Sequence, residues 1–252
     1  YKEQYALYYE KPYLNKSKTF GLIADFSWFQ QKEILYMVNK NKPLYMEGEN
    51  YLRKEIRFLT SLVYRPALYQ RIKLTFGYNL LQVSDTVLSL NQRYLLGKSP
   101  DVQYFLNLEG THDKRDSWVY PLHGYFLQAG ISAITNLEGN RYGYFNSKAQ
   151  AFFSLGQRHF MQLTSELAGL TEQEPSFTRS LALGTDQFVR GFEYYLMTGQ
   201  FYYLLKPGYK FQVLKKKVFH FDWLDAPSFD KIHLSAFLRS EERRVGKECR
   251  SR

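Results

Sequence analysis

Strict alternation constrains this chain more than any other feature. Ile72, Leu74, Phe76, Tyr78 and Leu80 are interleaved with Arg71, Lys73, Thr75, Gly77 and Asn79. In a second run Tyr125, Leu127, Ala129, Ile131 and Ala133 face one way, and Gln128, Gly130 and Ser132 the other. The rhythm recurs at Val102, Tyr104, Leu106 and Leu108, and at Ala149, Ala151, Phe153 and Leu155. It returns at Tyr209, Phe211 and Val213, and at Ile232, Leu234, Ala236 and Leu238. A period of two places the apolar members of each run on one face of an extended strand and argues against a helix there. The predicted fold class is therefore all-β, with an antiparallel sheet.

Turn signals punctuate the runs: NKNKP at 39–43, YRP at 64–66, LEGN at 137–140, TEQEPS at 171–176 and KPG at 206–208. Residues 84–100, with Val87, Leu88, Leu95 and Leu96 at helical spacing, predict a long loop with a short helix. At about 20 residues per strand and connection, residues 1–238 hold roughly 11 or 12 strands. No shift in composition divides them into two domains, and no solenoid repeat is present.

The second face of the runs decides the solvent. In a soluble sandwich it would be mostly charged. Here it holds Gly77, Gly130, Ser132, Ser154 and Gly156 beside scattered Lys, Arg and Gln, which suits a crowded, wet barrel lumen. Mean hydropathy is −0.45, and no stretch is long and apolar enough for a transmembrane helix. A transmembrane β-barrel escapes that test, because lipid-facing and lumen-facing residues average out. The 22 Tyr and 20 Phe fit its aromatic girdles. The reading is an antiparallel transmembrane β-barrel, with a Tyr-rich soluble β protein as the alternative.

RSEERRVGKECRSR, 239–252, is polar, aperiodic and unlike what precedes it. It is similar to translated vector or adapter sequence, so the expected division is a barrel over 1–238 and a non-native, disordered tail over 239–252. Setting the tail aside lowers the net charge from +10 to about +7 and removes Cys249, the sole cysteine. Disulfides and thiolate metal sites are thereby excluded.

No Gly-x-Ser-x-Gly elbow, P-loop, Gly-x-Gly-x-x-Gly or His-Glu-x-x-His motif occurs, so neither an enzyme nor a cofactor site is expected. His112, Asp113 and Asp116 read as a polar strand end rather than a metal site. Lys215, Lys216 and Lys217 lack the stacking aromatics of a nucleic-acid groove, and are assigned to a rim that meets anionic headgroups.

Two stretches carry more. DKRDSWVYPLHG, 113–124, places Asp113, Arg115, Asp116, Tyr120, Pro121 and Gly124 in an Asp-x-Arg-Asp…Tyr-Pro-x-x-Gly pattern. LGTDQFVRGFEYYLMTGQFYYLLK, 183–206, holds Leu183, Gly184, Val189, Arg190, Gly191 and Phe192 in a Leu-Gly-x-x-x-x-Val-Arg-Gly-Phe pattern. In order and separation they resemble the BamA/TamA superfamily of outer-membrane assembly barrels, the bacterial surface antigens. Residues 199–214 and 231–238 look most like members from the Bacteroidetes group.

The resemblance implies a partial barrel, roughly 11 or 12 of the family's sixteen strands, with strands missing at both ends and unable to close. It implies insertase or translocase activity without bond chemistry, in the bacterial outer membrane, behind POTRA domains. Outer-membrane lipids, client β-barrel proteins and accessory lipoproteins are the implied partners; nucleic acid is not. Arg190, with Val189, Gly191 and Phe192, would pin its loop inside the lumen, while Pro121 and Gly124 would open a strand. The family's acidic partner for the arginine would fall after residue 238. Two alternatives stay open: the C-terminal barrel of a patatin-like phospholipase, and a passive porin-like channel.

Overall fold

A computed structural model describes residues 1–95, 99–184 and 195–213. Beyond them it gives the backbone of strand segments at 217–220, 231–234, 237–241 and 244–245. The long strands are β1 (Lys2–Lys11), β2 (Phe20–Gln31), β5 (Arg53–Tyr64), β6 (Gln70–Val83), β7 (Asp101–Asp113), β8 (Gly124–Asn136), β9 (Arg141–Ser154), β10 (His159–Leu170) and β13 (Phe201–Gln212). Shorter ones are β3 (Glu33–Asn39), β4 (Lys42–Glu47), β11 (Leu181–Leu183), β12 (Met197–Gly199), β14 (Lys217–His220), β15 (Lys231–Leu234), β16 (Phe237–Glu241) and β17 (Arg244–Val245). One helix, α1, spans Asp85–Leu90.

The main sheet has 11 strands in the order β1-β2-β5-β6-β7-β8-β9-β10-β13-β16, with β17 also on β13. Every pair is antiparallel, and the long strands follow chain order, which is the up-and-down meander of a barrel wall. Among the described residues no pairing joins β1 to the far end, so this stretch of wall is open. Strand β16 runs across residues 238 and 239, on either side of the boundary expected from composition.

Burial is inverted relative to a soluble protein. Leu74, Leu106 and Ile131 are 41%, 51% and 62% exposed, whereas Thr75, Glu166 and Lys210 are 4%, 5% and 3% exposed. The alternation therefore turns its apolar face outward and its polar face inward. Each large apolar side chain left in water forgoes about 1.5–3 kcal/mol, so a wall of this kind is stable only with its outside in hydrocarbon. Partners follow the pleat: Phe76, Leu106, Ala133 and Gly143 line one outward row across neighbouring strands. Inward, Ser61 and Thr75 hydroxyls lie 2.9 Å apart, and Ser132 donates to Asn107 at 3.1 Å.

The two ends of the wall differ. At one, connections are short, as at 65–69 and 155–158; at the other lie 32–52, 84–100 and 171–200. The main apolar core sits at this second end: Ile34, Leu52, Leu81, Val83, Val87, Tyr94 and Leu95 pack together, joined by Tyr36, Met46, Leu88 and Phe177. Helix α1 contributes Val87, and Ser84 caps it by accepting from the Thr86 amide. Asn91 donates to the Tyr36 carbonyl at 2.7 Å, tying the helical segment to the β3–β4 hairpin. The long connections thus form a plug over the barrel end, with a core of ordinary soluble type. Tyr94, inside it, has its phenol pushed above the usual range by burial.

One turn signal is corrected. Lys206, Pro207 and Gly208 lie inside β13, with Pro207 opposite Leu163 and Gly208 opposite Gln162. The flanking period-two run, Phe201 to Gln212, outweighs one missing ladder donor.

Candidate functional site

The 113–124 motif forms the connection between β7 and β8 at the short-turn end. Asp113, last in β7, takes Arg115 in a fork: Nε to Oδ1 at 2.8 Å and a terminal nitrogen to Oδ2 at 2.7 Å. The Arg115 guanidinium lies 4.7 Å from the Phe126 ring centre and 5.8 Å from that of Trp118. A planar cation between rings, held by a carboxylate, suits arginine better than lysine. Asp116 accepts from the Leu122 amide at 3.0 Å, and its own amide donates to the His123 carbonyl. Burial works against its charge, yet the Leu122 and His123 amides, with the His123 ring, hold the carboxyl below the ordinary value.

Gly124 opens β8 at φ +96°, and a Cβ there would sit 2.0 Å from the Lys114 carbonyl oxygen. No residue with a side chain fits. Tyr120 and Pro121 meet a partner that sequence reasoning missed as a site residue. Lys210 of β13 donates to the Pro121 carbonyl at 2.9 Å, with its ammonium 4.3 Å from the Tyr120 ring centre and 5.2 Å from that of Phe152. The lysine thus holds the loop across the barrel end. Its signal in the sequence is a charge at an inward position, flanked by Tyr209 and Phe211.

Val189, Arg190, Gly191 and Phe192 lie outside the described residues, but the base of their loop is described. Leu183 pairs with Met197 and Leu181 with Gly199, closing β11 on β12. Gly184, at φ +121°, brings its backbone so near that a Cβ would be 2.1 Å from the Tyr195 carbonyl oxygen. Leu183 packs on Leu204, with Met197 and Tyr202 against them. The Leu196 amide donates to the Asn41 carbonyl at 2.7 Å, which fixes this base to the β3–β4 turn.

A second missed group anchors the chain just before that base. Arg179, its side chain 3% exposed, reaches Asp101 at 3.2 Å and Glu172 at 3.4 Å, with its guanidinium carbon 4.9 Å from the Tyr142 ring centre. Thr178 and Phe177 add backbone bonds to Tyr94 and Arg93. Further along the lumen, Glu166 on β10 accepts Lys148 from β9 at 3.1 Å and Lys206 from β13 at 3.2 Å. Sequence distance hid these groups: Asp101 and Arg179 belong to separate segments that only the sheet brings together. His112, proposed as a polar strand end, packs edge-on against Tyr125. No metal-binding cluster occurs among the described residues.

The inverted wall, its plugged end and the pinned hairpin base define a membrane barrel with a structured, occupied mouth. Residues 1–200 match the Omp85 superfamily domain. The chain belongs to the Omp85 superfamily. Its fold is similar to that of BamA from Haemophilus ducreyi lacking POTRA domains 1–3, with a TM-score of 0.60 at 12% identity. The likeness covers 96% of this chain and 49% of that one, so the Omp85 chain spans about half its length. No curated protein matches the sequence significantly.

Proposed function

We propose that this Omp85 chain is barrel-domain sequence from a factor that assembles client β-barrel proteins into the bacterial outer membrane, without bond chemistry. The observation that carries the reading is the gripped base of the 185–194 loop, where Gly184 is pressed on Tyr195 and β11 pairs with β12. Arg190 is the pin of that loop, Val189 and Phe192 its packing, and Gly191 its freedom to approach the wall. The Asp113–Gly124 turn, clamped by Lys210, is the rigid counterpart at the opposite end. Clients would add to an exposed strand edge, aided by local thinning of the bilayer. POTRA domains, accessory lipoproteins, a Bacteroidetes-type source and a non-native 239–252 tail belong to the same proposal.

The test is Arg190→Ala in the full-length parent. Insertion of a urea-unfolded client barrel into vesicles, and client levels in outer membranes, should both fall. Unchanged levels with a normally folded barrel would refute the pinning role. Fatty-acid release by the parent would favour the phospholipase-linked alternative, and steady ion conductance without insertion the porin-like one.

A further inference from the structure

The outward wall carries a groove of about 700 Å³ across β7, β8 and β9. Phe76, Tyr104 and Leu106 form its raised side, while Ala133 and Gly143 leave its floor low, with the Thr171 side chain against Gly143. The rows that cross it are those of the lipid-facing side, with Leu106 opposite Ala133 and Ala133 opposite Gly143. At its upper end stands Arg141, exposed, paired across the ladder with Thr135 one residue from the 137–140 turn. Among the described residues Arg141 makes no ion pair. Tyr78 and Tyr104, with rings 5.4 Å apart, lie at the same level and mark the depth where aromatic residues meet headgroups.

We infer that this groove binds a phosphorylated glycolipid, with one acyl chain over Ala133 and Gly143 and a phosphate on Arg141. Each half of the site calls for one half of such a molecule. The mostly apolar lining suits an acyl chain, and the Thr171 hydroxyl beside Gly143 is already taken up by the Gly143 amide at 2.7 Å. The guanidinium offers two parallel donors, the geometry that a phosphate takes. The leaflet follows from the ends of the wall: long connections mark the outward side of such barrels, and Arg141 lies at that end. In bacterial outer membranes the outward leaflet is built of glycolipids that bear phosphate. The inference rests on the outer-membrane location proposed above but not on the assembly role.

The test is native mass spectrometry of the full-length parent, purified from membranes in detergent, with folding checked by heat-dependent gel mobility. The probes are lipid A and phosphatidylglycerol. Lipid A adducts should fall about tenfold in Arg141→Ala and in Ala133→Phe, which fills the floor, and less in Arg141→Lys. Added salt should weaken the wild-type adduct and leave that of Arg141→Ala unchanged. Equal retention by wild type and both variants overturns the site. Equal retention of phosphatidylglycerol overturns the choice of glycolipid. A photoreactive group at Ala133 that crosslinks in cells to protein rather than lipid also overturns it.

Discussion

Arg179→Ala is expected to loosen the segment from which the 185–194 loop springs. The guanidinium is buried between two carboxylates, with side-chain exposures of 3% for Arg179, 7% for Asp101 and 17% for Glu172. Deleting it strands both acids. Asp101 still accepts from Gln103 at 2.5 Å, but Glu172 has no such support among the described bonds. Removing one partner of a buried pair costs about 3–5 kcal/mol. Loss of the cation over the Tyr142 face works in the same direction. Water entering the vacated space offsets part of this, so a loss of about 3 kcal/mol is expected. Urea unfolding of the full-length parent in micelles measures it as a shift in midpoint at constant slope. Combining Arg179→Met with Asp101→Asn and Glu172→Gln should recover much of the loss, because a neutral core needs no counter-charge. A loss below about 1 kcal/mol for Arg179→Ala, or no recovery in the triple variant, would refute the reasoning.

At the opposite end, Gly124→Ala should destabilise the β7–β8 connection. Left-handed strain alone costs about 1–2 kcal/mol, and the 2.0 Å approach to the Lys114 carbonyl adds to it; a wild-type urea midpoint would contradict this. Lys210→Met keeps the bulk but loses the bond to Pro121 and the contact with Tyr120, an expected cost of about 1–3 kcal/mol. Limited proteolysis should then cut within 114–123, and an uncut loop would speak against the clamp. Asp116 has its carboxyl depressed in the fold, so its contribution is complete above the unfolded value of about 3.9 and is lost as pH falls through the folded one. Acid titration should open this turn in wild type, whereas Asp116→Asn should show a flatter profile.

Much of the wall was legible because a strand writes its two faces directly into alternate residues. Leu74, Leu106 and Ile131 were identifiable as one face, and Thr75 and Ser132 as the other. Gly124 was picked out through the family pattern, and its φ of +96° supplies the physical reason for glycine there. Lys-Pro-Gly at 206–208 misled: a local turn signal cannot reveal that Pro207 has a neighbouring strand at Leu163. Arg179 and Lys210 were not picked out as site residues, since Asp101 and Pro121 stand 78 and 89 residues from them in the chain.

The sequence by itself determined which residues alternate, that the chain is all-β, and where its two family motifs lie. These depend on local periodicity and on residue types that few backbones accept. The small polar residues of the second face favoured an outward apolar face, and the tertiary structure decided it, with Leu106 51% and Thr75 4% exposed. It also decided which charges meet. Asp101 joins Glu172 and Arg179 in one buried group because strand order and loop folding bring together segments that local sequence cannot connect.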